Sequence, residues 1–288
     1  MLDKKLIDKI RRVQLWARNL ANDSLSGEYS SVFKGTGVEF DEFRKYVPGD
    51  DVKHIDWKVT ARTRRPHVKV FKEERDLTIL LLVDISSSQS FGLKKSREKV
   101  SAAAELAALF AILATNNNDR VGLVVFTDEV EHFIPPGSGK AHVFNLVRDV
   151  LTTKRKSSGT NISAVAKYAG SVMKKKGLVV VISDFQDDNY TEELAALARR
   201  HDLVCANTYD QAEINPPKFN LGGLIDPETG EFIDSNYEIS RKAESNSLEA
   251  WEKMIIKLGG DPFVVRSDET TVTPLIKFLK RREARLSR

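Results

Sequence analysis

From residue 77 onward the chain alternates between apolar, strand-like runs and helical runs, and this alternation limits the fold more than any other feature. "LTILLLVD" (77–84), "RVGLVVFTD" (120–128), "LVVVISDF" (178–185), "LVCANTYD" (203–210) and "PFVVRS" (262–267) read as strands. "KSREKVSAAAELAALFAILAT" (95–115), "AHVFNLVRDVLTT" (141–153), "NISAVAKYAGSVMKKKG" (161–177), "TEELAALARRHD" (191–202), "SLEAWEKMIIKLGG" (247–260) and "TPLIKFLKRREARL" (273–286) carry helical spacing. Strands that are apolar on both sides and separated by helices need a crossover each time. The expectation is therefore an α/β domain of three layers, a mainly parallel sheet with helices on both faces. "VEHFIPP" (130–136) reads as a short antiparallel edge strand that its prolines end. "DPETGE" (226–231) reads as a turn between two short strands.

Residues 1–76 follow a different pattern and are read as an N-terminal extension packed on a main domain of 77–288. The spacing predicts a helix over 3–21 and then a Gly- and Ser-bearing loop. A strand, a Pro48-Gly49 turn, a short helix over 50–62 capped by Asp50 or Asp51, and a returning strand over 67–74 complete it. Arg44, Tyr46, Asp50, Asp51, His54, Asp56, Trp57 and Arg62 are read as a buried polar network in preference to a docking face. The apolar spacing of "IDWKVTA" supports that choice.

Charged residues make up 30% of the chain and hydrophobic residues 41%, ordinary values for a globular protein. The single cysteine, Cys205, excludes an intrachain disulfide and sits in an apolar run, as a core thiol would. No signal-peptide pattern opens the chain and no run approaches the roughly 20 apolar residues of a membrane span, so a cytoplasmic location is expected. The net charge is +4, with basic residues gathered at 58–72 and 277–288. These are read as solvated faces; no aromatic RNA-binding motif accompanies them, which disfavours nucleic acid as a partner.

The strand ends carry the chemistry. Residues i, i+2 and i+4 of an extended chain point the same way, so Asp84, Ser86 and Ser88 can converge while Ile85 turns to the core. Thr160 in "SSGTNIS" precedes a helix, and Asp184 ends "VVVISD". In a parallel sheet such positions meet beyond the carboxyl ends of the strands. Hydroxyls and carboxylates gathered there suit a hard, magnesium-type cation. The same residues also have plain structural roles. Asp84, Ser86 and Ser88 can form a capping loop, Thr160 can cap the helix before Asn161, and Asp184 can cap a turn, while Asp187 and Asp188 read as solvated acids.

Other chemistries find no support. "PPGSGKA" (135–141) has Ile134 and Ala141 where a phosphate-binding loop needs Gly and Ser or Thr. Ser86 stands where a haloacid-type phosphatase would want a second aspartate. The chain has no G-x-S-x-G or H-E-x-x-H pattern, and His54, His67, His132, His142 and His201 are read as surface or hydrogen-bonded residues.

"DISSS", Thr160 and the "ISD" strand end resemble the metal-ion-dependent adhesion site of von Willebrand factor type A domains. "GVEFDEFRKYVPGDDVKHIDWKVTART" resembles the signature region of domain-of-unknown-function 58 proteins, which carry such a domain. The resemblance implies hydroxyl ligands from Ser86, Ser88 and Thr160, and Asp84 and Asp184 acting through water. It implies a divalent cation, Mg2+, that accepts an acidic side chain of a partner or client. It also implies association with a MoxR-type AAA+ ATPase. Members of the family often begin with membrane helices, and this chain looks like a short, soluble form. The reading is a non-enzymatic adaptor or co-chaperone. A divalent-metal phosphohydrolase and a basic-patch binder of nucleic acid or anionic surfaces remain the alternatives.

Overall fold

The computed structural model describes residues 23–33, 37–74, 77–90, 98–210, 224–225, 232–233 and 240–286. The helix expected over 3–21 and the "DPETGE" turn lie outside them. Contacts divide the chain into two compact units, Lys34–Leu77 and the remainder.

The main unit is built on a six-stranded sheet. In chain order its elements are α1 (Asp23–Val32), β3 (Thr78–Asp84), α3 (Lys99–Asn116), β4 (Arg120–Phe126), β5 (Val130–Gly137), α4 (Lys140–Thr152) and α5 (Ile162–Val172). Next come β6 (Leu178–Ser183), α6 (Thr191–Arg200), β7 (Asp202–Tyr209), β8 (Leu224–Ile225), β9 (Phe232–Ile233), α7 (Ser240–Lys257), β10 (Asp261–Arg266) and α8 (Val272–Leu286). The strand order is β10-β7-β6-β3-β4-β5. All pairings are parallel except β4 with β5. The expected mainly parallel α/β architecture is therefore present. Strand β5 runs through Pro135 and Pro136 to Gly137 and does not stop at them, because an edge strand can leave one row of bonding groups unused. Strands β8 and β9 pair antiparallel as a separate two-stranded ribbon.

Alternation along the strands builds two cores. Leu80, Leu82, Val124, Phe126, Val179, Val181, Leu203 and Cys205 pack with Ile162, Val165, Leu194, Leu197, Trp251 and Ile255 from α5, α6 and α7. The intervening residues Ile79, Leu81 and Val83 are equally buried and face the other way. There α3 contacts β3, β4 and β7, flanked by α4 and α1. Helix α3 is long and apolar enough to cross a bilayer by composition, but most of it is buried inside the protein, as a central helix on such a sheet must be.

Helix α1 replaces the loop expected there. Leu25, Tyr29 and Val32 fall at i, i+4 and i+7 and are all buried. The Tyr29 hydroxyl donates to Asp119 Oδ2 at 2.9 Å. Phe33 lies 6.5 Å from the Phe110 ring, and the Arg282 guanidinium stands 4.7 Å over Phe33. Arg282 also pairs with Asp202 and Asp261 at the amino ends of β7 and β10. Residues 23–33 thus pack into the main unit, so the second unit begins only at Lys34, while its other end, Leu77, falls beside the expected boundary. Helix α5 is shorter than the spacing suggested, ending at Val172, because the chain must turn into β6 through Gly177.

The Lys34–Leu77 unit pairs β1 (Gly37–Lys45) antiparallel with β2 (His67–Glu74). The helix expected over 50–62 is broken in two. Asp51 caps a 3-10 turn, Val52–His54, and Asp56 caps α2 (Trp57–Thr63) by accepting from Lys58 N and Val59 N. Asp56 is placed to cap because Ile55 takes extended backbone that bridges to Val68. The expected burial fails here. Trp57 is 68% exposed, α2 buries no residue, and the Arg44–Asp50 pair at 2.9 Å is open to solvent.

Two glycines give opposite expectations. A Cβ on Gly177 would lie 2.4 Å from the Thr78 carbonyl oxygen, whereas one on Gly27 would meet nothing within 4 Å. Gly177→Ala should destabilise by roughly 1–3 kcal/mol. Gly27→Ala, inside a helix, should stabilise by about 0.5–1 kcal/mol. Urea denaturation of the two variants reads both signs.

His201 gives a pH-dependent expectation. It is 4% exposed, and among the described residues neither ring nitrogen has a hydrogen-bond partner. Burial, with Arg200 nearby, holds its pKa below the ordinary histidine value. The folded state therefore resists protonation that the unfolded chain accepts. Its stabilising contribution is complete above the unfolded pKa, about 6.5, and is lost as pH falls from there through the lower folded value. His201→Gln should flatten the fall in Tm between about pH 7.5 and about pH 5.5; an unchanged slope would show that other groups set it.

Candidate metal centre

The central strand β3 delivers Asp84 to the carboxyl edge of the sheet with no exposed surface. Both its oxygens are used. Oδ1 accepts from Ser86 N at 2.8 Å, which curls the chain after the strand, and Oδ2 accepts from the Ser183 hydroxyl at 2.6 Å. Ser183 ends β6, so this bond fastens two adjacent strand ends together. Burial pushes the Asp84 carboxyl up to about 7, with the Asp184 charge adding to it, while bonds from Ser183 and Ser86 pull it back.

The curl brings Ser86 Oγ and Ser88 Oγ to 3.0 Å from one another, both buried. Ile85 turns inward as its apolar side chain demands, and its N–H donates to Phe126 O. Ser87 N donates to Ser158 O at 3.0 Å, which ties this turn to the loop carrying Thr160. That loop is held from beneath: Asn161 N donates to Thr127 O, and Lys156 N donates to Glu131 Oε1. Thr160 is half-buried, whereas Asp84, Ser86, Ser88 and Asp184 are buried. The helix cap is Asn161, whose Oδ1 accepts from Ala164 N at 2.8 Å. Thr160 therefore does not cap α5.

Asp184 follows β6 and is shaped by its neighbours. Phe185 has φ 55, a conformation uncommon for a residue with a side chain, while its ring packs on Tyr190 and Trp251. Asn207 Nδ2 donates to the Asp184 carbonyl, and Asp184 Oδ1 accepts from Gln186 N at 3.3 Å. Its other oxygen, Oδ2, faces Lys99 Nζ at 2.8 Å, and the two side chains are 0% and 2% exposed. Of the following acids, Asp188 is exposed as expected. Asp187 is not a solvated acid: it is half-buried and accepts from Ile162 N at 2.7 Å, at the start of α5. Burial raises its pKa above the ordinary value, against the bonds from Ile162 and Asp188.

The donor set suits a hard cation in kind. The serine hydroxyls are neutral oxygens, and Asp84 stands behind them with one accepted bond on each oxygen, which leaves each a further acceptor position for a cation's water. Among the described residues no group of three or more His, Cys, Asp or Glu forms, so a cation here would rest on hydroxyls. Reading the sequence found the oxygens but missed Ser183 and Lys99. Ser183 was legible in "ISD", one residue before the acid. Lys99 was hidden in the basic run "KKSREK", which looks like a solvated helix start.

The sequence profile described as "Protein of unknown function DUF58" matches residues 42–248, more than half of the chain. The chain belongs to the DUF58 family. The uncharacterized protein Rv1480 of Mycobacterium tuberculosis is 28% identical over 97% of this chain and 90% of its own length. An uncharacterized protein of Mycobacterium avium, MAV169, is 25% identical over 52% of this chain and 93% of its own. Among solved structures, BatB from Bacteroides thetaiotaomicron superposes with a TM-score of 0.48 at 16% identity, over 73% of this chain and 99% of that one. The VWA domain of SpRpn10 gives 0.42 at 8% identity, over 69% and 93%. The fold of this DUF58 chain is given by its own sheet order and register.

Removing the Ser183 hydroxyl would leave a buried Asp84 oxygen without its donor. Ser183→Ala should lower stability by about 1–3 kcal/mol. Urea midpoints equal to those of the unaltered chain would show that Asp84 is held by other means.

Proposed function

We propose that the chain is a non-enzymatic protein-binding module whose contact depends on a divalent cation, Mg2+ by the nature of its donors. The observation that carries the reading is the buried hydroxyl pair Ser86–Ser88, 3.0 Å apart, beside two carboxylates at the carboxyl edge of the sheet. Ser86, Ser88 and Thr160 would supply neutral oxygens, and Asp84 and Asp184 would act through water. When bound, the cation supplies an electrophilic seat for an acidic side chain of a partner. Magnesium dehydrates reluctantly and keeps much of its pull when its direct ligands are uncharged. Thr160 is the half-exposed member of the set, so a partner would approach over the 158–160 loop.

The rest of the protein serves that contact. The strand ends and their buried hydrogen bonds set the hydroxyls in place before any partner arrives, so less ordering is needed on binding. In this reading the protein works in the cytoplasm as an adaptor or co-chaperone, with a MoxR-type AAA+ ATPase or its client supplying the carboxylate. That partner rests on the resemblance of the DUF58 signature region.

Ser86→Ala combined with Thr160→Ala should abolish Mg2+-dependent capture of the partner by the purified chain while its melting curve keeps one cooperative transition. Chelator should mimic the double variant. Capture that survives both would end this reading, and turnover of phosphoesters that chelator stops would replace it with a metal hydrolase.

A further inference from the structure

Lys99 is placed where a lysine should not be without strong cause. It is the first residue of α3, where the helix dipole opposes a positive charge. It is also fully buried, which lysine almost never is unless paired. What it meets is the candidate metal carboxylate: Nζ lies 2.8 Å from Asp184 Oδ2. The ammonium thus sits in the same buried cluster as Asp84, Asp184 and the serine pair.

We infer that Lys99 is the resident cation of this site: its ammonium satisfies Asp184, and a divalent ion binds fully only when the ammonium withdraws from that carboxylate. This rests on the metal-dependent reading above and adds a competitor to it. Three features support it. Asp184, one of the acids that would hold an ion through water, already has a charged donor on Oδ2. Ser86 and Ser88 bond to each other, so the hydroxyls have a partner in the closed arrangement. Lys99 is the first residue of α3, so a shift that withdraws it would begin at the helix end, in a turn whose Ser101 and Ala102 are buried. A buried ion pair of this kind is weak evidence for stability in itself. Its position on a would-be metal carboxylate gives it a second use.

The full chain, Lys99→Gln and Lys99→Gln combined with Asp184→Asn are compared. Each is melted in chelator and in excess Mg2+, and Mg2+ affinity is measured by titration calorimetry. Glutamine removes the charge and retains an amide donor on a side chain one bond shorter. The expected result is a larger Mg2+-induced rise in Tm for Lys99→Gln than for the unaltered chain. With it should come a roughly 10- to 1,000-fold tighter Kd, the range over which one adjacent charge moves a binding equilibrium. The double variant should lose that gain. If the unaltered chain binds Mg2+ and Lys99→Gln binds no tighter, the inference falls and the proposed function stands. If only Lys99→Gln binds, the inference holds and the metal-gated contact of the native chain falls. If neither binds, both fall. Should Lys99→Gln unfold in chelator, recovery of its cooperative melt on adding Mg2+ supports the inference, and no recovery overturns it.

Discussion

A carboxylate without any contact with water, at the end of the central strand, organises the edge of this sheet. Removing a charge from water is costly unless it is hydrogen-bonded. Asp84 accepts one bond locally from the Ser86 N–H and one across the sheet from the Ser183 hydroxyl. The first bond curls the chain so that Ser86 and Ser88 face each other. The second aligns the ends of β3 and β6, which places Asp184 one residue later beside the same cluster. The hydroxyl turn, its tie to the Thr160 loop and the position of the second acid all follow from satisfying one buried group.

Lys99 offsets part of the charge in this cluster. Two buried carboxylates near each other repel, which is part of why the Asp84 pKa rises. The ammonium on Asp184 offsets one of them from within the chain. The cluster therefore holds one of its two acids paired within the chain, and in the proposed contact a dication would compete with that pair.

The fold was legible because its signal is periodic. Every strand of the six-stranded sheet and most of its helices could be read from runs of apolar residues, and even the antiparallel edge strand was visible in "VEHFIPP". What failed was short or depended on tertiary contact. Helix α1 was hidden because Gly27 and several serines look like a loop, although Leu25, Tyr29 and Val32 had helical spacing throughout. The 50–62 segment broke because Ile55 bridges to β2, a contact that no local pattern displays. Trp57 looked like a core residue by type and is exposed. At the site, alternation revealed the convergence of Asp84, Ser86 and Ser88, because it is local. The Lys99–Asp184 pair joins residues far apart in sequence, and a lysine beside other lysines gives no sign that it is buried.

Cys205 carries a practical consequence. It is the chain's single cysteine, has no exposed surface, and burial pushes its thiol well above the ordinary value. Maleimide and other thiol-directed reagents act on accessible thiolate, so the native chain offers them a silent background. A thiol engineered at exposed Ser158 would then be the one reactive handle, carrying a fluorophore or spin label to the rim of the candidate site without first stripping the protein of its own sulfhydryl.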